Sequence, residues 1–166
     1  MNRQIIPIFI PFLGCPHDCA LCNQVKITNY KDRADEETII KQIEDYLSYF
    51  KDKDSKKEIA FYGGSFTGLP EQTMLSYLDI ANDYKKKGII ARIRLSTRPD
   101  YINNSILDYL KDYQVDTIEL GIQSFDQEVL DANERGHLIT DSQRASELIK
   151  EYGFTLGHQI MPGLYK

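Results

Sequence analysis

The sequence has no long apolar run, no cysteine outside one short stretch and no surplus of positive charge. The first absence excludes a membrane-spanning helix near the N-terminus. The apolar run from Ile5 to Leu13 is broken by Pro7 and Pro11 and falls well short of the roughly 18 residues that a span takes. No small-residue cleavage site follows it, so the run predicts a buried strand of a cytoplasmic protein that makes no membrane contact. The second absence excludes a disulfide framework. Three cysteines are an odd number, and all lie between positions 15 and 22, which points to metal-bound or reduced thiols in a reducing compartment. The third, a formal net charge of −5, excludes a generally basic surface while leaving room for a local phosphate-binding patch. No internal repeat or flexible linker divides the chain, and 166 residues with 42% hydrophobic content are enough for one domain spanning 1–166.

What is present is an alternation of strands and helices. The near-continuous apolar character of Ile5 to Leu13 suits a strand covered on both faces, and its prolines place it at a sheet end. Asp35 or Thr38 opens a helix in which Ile39, Ile40, Ile43, Tyr46, Leu47 and Phe50 recur at helical spacing, and the charged run Lys51 to Lys57 ends it. Glu58 to Tyr62 reads as the second strand, and Pro70 stands at the start of a helix with Met74, Leu75, Leu78 and Ala81 on its apolar face. Ile89 to Leu95 and Thr117 to Ile122 read as the third and fourth strands, with a helix over Ile102 to Tyr113 between them. A short helix over Asp126 to Ala132, a longer one over Ser142 to Tyr152 and a fifth strand over Phe154 to Ile160 complete the pattern. Strands alternating with helices predict an α/β fold with a parallel sheet and right-handed crossovers. Five such units followed closely by Lys166 predict an incomplete barrel, part of a longer protein.

In such barrels chemistry sits where the chain leaves the C-terminal ends of the strands. The unusual residues of this sequence fall there. Gly14-Cys15-Pro16-His17-Asp18-Cys19-Ala20-Leu21-Cys22 leaves the first strand, Gly63-Gly64-Ser65 the second, Ser96-Thr97-Arg98 the third and Gln123-Ser124 the fourth, with His158 near the end of the fifth. The C-x3-C-x2-C spacing suits an iron-sulfur cluster, and it suits a zinc site in which His17 is the fourth ligand. Three thiolates on a four-iron cluster leave one iron open to a small molecule. Gly63 and Gly64 allow close backbone approach to a ligand, Ser96, Thr97 and Gln123 offer neutral hydrogen bonds, and Arg135 can pair with a carboxylate.

These residues resemble a family. Cys15-x3-Cys19-x2-Cys22 with Gly63-Gly64-Ser65 is similar to the radical S-adenosylmethionine superfamily. The strings Tyr62-Gly-Gly-Ser-Phe-Thr-Gly, Ser96-Thr-Arg-Pro-Asp-Tyr-Ile, Glu119-Leu-Gly-Ile-Gln-Ser, Arg135-Gly-His and His158-Gln-Ile-Met-Pro-Gly-Leu resemble the branch that contains the Elongator catalytic subunit. The oxygen-independent coproporphyrinogen oxidases are more distantly similar. The resemblance implies a partial (β/α)6 barrel of the TIM-like type, truncated after about five units. It implies a four-iron four-sulfur cluster on Cys15, Cys19 and Cys22 whose open iron chelates S-adenosylmethionine. Reductive cleavage of that cofactor would give a deoxyadenosyl radical that abstracts hydrogen from a substrate. By the same resemblance Gly63, Gly64 and Ser65 hold the methionine amino group, Ser96 and Gln123 lie near the ribose, Arg135 meets the carboxylate and His158 lies near the adenosyl group. An external electron donor such as flavodoxin or ferredoxin is implied, and the substrate is left unidentified, with tRNA modification among the reactions that the resemblance allows. The three-residue gap between Cys15 and Cys19 departs from the longer gap of Elongator-type chains. The competing expectations are a zinc-stabilised binding module and an inactive fragment.

Overall fold

The computed structural model describes residues 3–10, 15, 19, 35–52 and 55–165. Five strands form one sheet, β1 (Arg3–Ile10), β2 (Lys56–Gly63), β3 (Arg92–Thr97), β4 (Thr117–Gln123) and β5 (Thr155–Ile160). Their spatial order is their chain order, and every neighbouring pair is parallel. Between them run the helices α1 (Glu36–Tyr49), α2 (Glu71–Lys86), α3 (Asn104–Asp112), α4 (Gln127–Ala132) and α5 (Ile139–Glu151). Sequential order with right-handed crossovers puts all the helices on one face of the sheet, the first step towards a closed β/α barrel.

The strand sequences obey that division. Ile6, Ile8, Ile10, Ile59, Phe61, Ile93, Leu95, Ile118, Leu120 and Ile122 alternate along β1 to β4 and are almost wholly buried in one cluster with Ile39, Ile43, Leu78, Leu107 and Ala145 from the helices. Period-two alternation sends the intervening residues to the open face, where Ile5 and Phe9 of β1 remain exposed. Pro7 sits on β1 at the edge of the sheet, as its missing N–H requires.

Local signals explain most element ends. The Asp35 carboxylate accepts the Thr38 N–H to start α1, the Asn103 amide oxygen accepts the Ile106 N–H to start α3, and Asp126 accepts from Glu128 and Val129 to start α4. Several boundaries differ from the sequence pattern by one residue or more. β3 begins at Arg92 rather than Ile89, because the Ile89 and Ile90 N–H groups donate to the Tyr84 carbonyl and close the end of α2. α5 begins at Ile139 rather than Ser142, with the Asp141 carboxylate accepting the Leu138 N–H. β2 takes in Lys56 and Lys57, which pair with Arg3 and Gln4 of β1.

Candidate cofactor site at the strand ends

Parallel strands in sequential order bring all their C-terminal ends to one rim. Gly63 lies opposite Ile10 there, with a backbone φ of +111°. A Cβ on Gly63 would stand 2.6 Å from the Ile10 carbonyl oxygen, so only glycine lets the two strand ends close up. The Gly64 N–H donates to that same carbonyl at 3.0 Å. The glycine pair therefore fixes the end of the strand from which the cysteine loop departs. Ser65 is buried, its hydroxyl 2.8 Å from Thr97 Oγ1 and accepting the Arg98 N–H at 3.2 Å, while Thr67 Oγ1 lies 2.6 Å from the same Thr97 oxygen. This hydroxyl cluster locks the ends of β2 and β3 together.

β4 ends in an unusual backbone. Gln123 has φ +69°, a left-handed conformation that non-glycine residues seldom adopt and that concentrates at functional sites. Its carbonyl accepts the Met161 N–H, and its side-chain oxygen is buried without a hydrogen-bond partner. Two residues earlier, Gly121 leaves the space that neighbouring side chains use: a Cβ there would stand 3.1 Å from Gln123 Nε2 and 3.6 Å from Arg135 Nη2. Beside it, at the ends of β4 and β5, a cavity of about 270 Å³ is lined by Gln123, Phe125, Ile160, Met161 and Pro162 among others.

Arg135 brings the rim and Cys19 together. Its Nη2 donates to the Gly121 carbonyl at 3.1 Å and its Nη1 to Cys19 Sγ at 3.3 Å, while Nε is buried and unpartnered. Arg98, also buried, holds Asp100 through Nε at 2.9 Å and donates Nη2 to the Arg135 carbonyl at 2.7 Å. His137, two residues on, is buried as well, and burial together with the Arg135 and Arg98 charges holds its imidazole below the ordinary value of 6.5.

The open face below this rim carries charge. Glu58, fully buried, faces Arg94 at 3.2 Å, Arg3 at 3.5 Å and Arg92 at 3.6 Å, and Arg94 also pairs with Glu119. Gln159 Nε2 donates to both Ser96 Oγ and Glu119 Oε2 at 3.0 Å, and the Ser96 hydroxyl donates to Glu119 at 3.4 Å. Sequence reasoning passed over Glu58, Arg94, Glu119 and Gln159. The signal was the alternation itself, since Glu58 and Tyr62, Arg92, Arg94 and Ser96, and Thr117, Glu119 and Gln123 share the register that faces away from the helices, interrupted only by Ala60 and Gly121 within these three strands.

Among the expected site residues, Gly63, Gly64, Gln123, Arg135 and Cys19 are brought to the rim, and Ser96 lies on the open face just beneath it. Ser65 is at the rim with its hydroxyl turned into the β2–β3 lock. His158 stands apart. Its Nε2 is 2.9 Å from Ser146 Oγ on α5, and its ring meets Phe125 edge-on at 6.1 Å. Alternation along β5 puts Gln159 on the open face and turns His158 toward α5. Cys15 is exposed. Cys22, and with it His17 of the zinc alternative, lies outside the described residues. Among the described residues no three metal-binding side chains come together.

A family model for the Radical SAM superfamily matches residues 9–166. The chain belongs to that superfamily. It is an enzyme domain, and its five-stranded parallel sheet is a partial barrel of the radical SAM type. An uncharacterized protein of Methanocaldococcus jannaschii is 30% identical over 94% of this chain and 51% of its own length. A tRNA uridine(34) acetyltransferase of Methanocaldococcus infernus is 33% identical over 42% of this chain and 13% of its own length. Elongator complex protein 3 of Mus musculus is 28% identical over 66% of this chain and 23% of its own length. The chain thus spans about half the length of the first relative and less of the others. In fold, it matches the archaeal Methanocaldococcus infernus Elp3 with a TM-score of 0.69 at 20% identity, covering 98% of this chain and 38% of that one. Among the described residues no helix is long and apolar enough to cross a membrane.

The residues present fit the cofactors that the family implies. The cysteine loop leaves a strand end closed by Gly63, a cationic donor stands on one cysteine sulfur, and the buried Gln123 Oε1 and Arg135 Nε lack partners.

Proposed function

We propose that this chain is the cofactor-binding part of a radical SAM enzyme. Cys15, Cys19 and Cys22 would hold a four-iron four-sulfur cluster, with S-adenosylmethionine bound beside it. When bound, the two supply a carbon-centred radical able to abstract hydrogen from a substrate. The observation that carries this reading is the Arg135 guanidinium placed between Cys19 Sγ and the Gly121 carbonyl, which ties Cys19 to the rim of a radical SAM-type sheet.

The chain's own residues would divide the remaining tasks. Gly63 and Gly64 keep the backbone beside the loop free of side chains, so that main-chain groups can reach a cofactor's amino group. Gln123, turned by its left-handed backbone and with its buried side-chain oxygen unpartnered, is set to accept a hydrogen bond from a hydroxyl. Ser96 contributes beneath it, held by Glu119 and Gln159. The likeness to tRNA uridine(34) acetyltransferases and to Elongator complex protein 3 supports tRNA as the substrate class. An external one-electron donor of the flavodoxin or ferredoxin type would supply the reducing electron, in a cytoplasmic setting that keeps the thiols reduced.

Anaerobic reconstitution with iron and sulfide, reduction and assay for deoxyadenosine test the reading. Iron uptake with S-adenosylmethionine cleavage is expected. One zinc per chain with no iron would favour the zinc module and sink the radical reading.

A further inference from the structure

The Arg135 contact with Cys19 goes beyond the role that the family assigns to this arginine. Arginine has five N–H donors in a fixed fork. Two of them are already placed inside the protein, one on Cys19 Sγ at 3.3 Å and one on the Gly121 carbonyl at 3.1 Å. The backbone bearing the side chain is also held, because Arg98 donates to the Arg135 carbonyl at 2.7 Å and is itself gripped by Asp100. Arg98 leaves β3, Gly121 belongs to β4, and Cys19 belongs to the loop leaving β1. Arg135 therefore links three strand exits, two through its guanidinium and the third through its main-chain carbonyl.

We propose that Arg135 is a positioning residue for the cluster: it holds Cys19 Sγ at the rim and places a charge-assisted N–H···S hydrogen bond on that ligand, with the Arg98–Asp100 pair fixing its main chain. The proposal rests on the radical SAM reading for the identity of the bound group. A hydrogen bond from a cation to a ligand sulfur stabilises the more negative, reduced cluster, and hydrogen bonds to cluster sulfurs are among the groups that set reduction potentials. Arg135 would thus favour acceptance of the electron from the external donor.

Two measurements test this, one on the metal-free protein and one on the loaded protein. In the metal-free chain, melting temperatures are compared for Arg135→Gln, Cys19→Ala and the double variant, with Cys15→Ala replacing Cys19→Ala in a control cycle. Non-additive shifts with Cys19 and additive shifts with Cys15 are expected. Additive shifts in both cycles overturn the contact. In the reconstituted protein, an EPR-monitored redox titration without S-adenosylmethionine should move the midpoint of Arg135→Gln to lower potential by about tenfold in the reduction equilibrium, ~59 mV for one electron. Arg135→Lys, which keeps a charge and a donor, should recover part of that shift. An unchanged midpoint in Arg135→Gln overturns the electrostatic role. Wild-type protein that takes up no iron sinks the radical reading, and the metal-free cycles still decide whether Arg135 holds Cys19.

Discussion

The two faces of the sheet are made from the same five strands and differ in almost everything else. On the helix-covered face, Ile6, Ile8, Ile59, Phe61, Ile93, Leu95, Ile118 and Leu120 form an apolar layer buried to within a per cent of complete. On the open face, Arg3, Glu58, Arg92, Arg94 and Glu119 form a ladder of opposite charges, with Ser96 and Gln159 at its upper end. The first face gains stability from area removed from water, about 25 cal/mol per Å². The second gives up that gain for polar groups arranged beneath a rim. A sheet that needed only stability would have little use for a fully buried glutamate among three arginines, because replacing such ion pairs with packed apolar residues is often neutral or stabilising.

The sharpest way to break the comparison is on the covered face. Phe61 is fully buried, with its ring 4.8 Å from Phe66 and 6.5 Å from Tyr77. Phe61→Ala should cost about 3–5 kcal/mol, read as a fall in the denaturation midpoint at unchanged m-value. Next in size is the rim. Gly63→Ala adds a Cβ 2.6 Å from a backbone oxygen at φ +111°, and should cost about 2–3 kcal/mol. It should also lower iron uptake on reconstitution, because the strand end that moves is the one bearing the cysteine loop. Stability lost with iron uptake intact would separate the rim from the loop.

A smaller effect is expected on the open face. Glu58→Gln keeps the shape and removes the charge facing Arg3, Arg92 and Arg94, whose side chains are 47%, 29% and 19% exposed and so remain partly hydrated. That exposure discounts the usual cost of breaking a buried pair to about 1–2 kcal/mol. A loss as large as that of Phe61→Ala would mean that the ladder carries stability on a par with the core, and would erase the contrast between the faces.

The covered face was legible in the sequence and the open face was not, for one physical reason. Apolar periodicity announces burial, so the strands, the helices and the parallel order followed from Ile59 and Phe61, from Ile93 and Leu95, and from the helical recurrence around Ile39 and Leu78. Charged residues inside strands carry no such announcement. Lys56 and Lys57 read as the tail of a surface run, and Glu58 and Arg94 as strand residues without a role. Boundaries slipped where capping outweighed hydrophobicity, as at Ile89 and Ile90, whose N–H groups finish α2. At the site, motif strings located the rim but not the direction of side chains. His158 and Gln159 are adjacent in one string, and only the period of two decides that Gln159 joins Ser96 and Glu119 while His158 turns to Ser146. The hydrogen bond from Arg135 to Cys19 joins residues 116 positions apart, beyond the reach of any local pattern.

The smallest expected effect tests the join between the two faces, at His137. The imidazole is buried behind the rim, with Arg135 and Arg98 opposing its protonation and Asp100 and the Ile122 main chain favouring it. Burial and the two cations prevail, so the folded protein keeps it neutral at acidities where the unfolded chain, near 6.5, takes up a proton. Its contribution to stability is then fully present above the unfolded value and is lost as pH falls through the lowered folded value. His158 is shifted in the same direction, by burial and by Lys150, so the whole protein's acid dependence cannot be assigned to one ring. The difference between wild type and His137→Gln isolates it. Melting temperatures taken from about pH 7.5 down to about pH 5 should fall less steeply in the variant than in the wild type. Parallel curves would mean that His137 is protonated as readily in the fold as out of it, and that the positive charge of Arg135 is spent on Cys19 and Gly121 without reaching the ring two residues away.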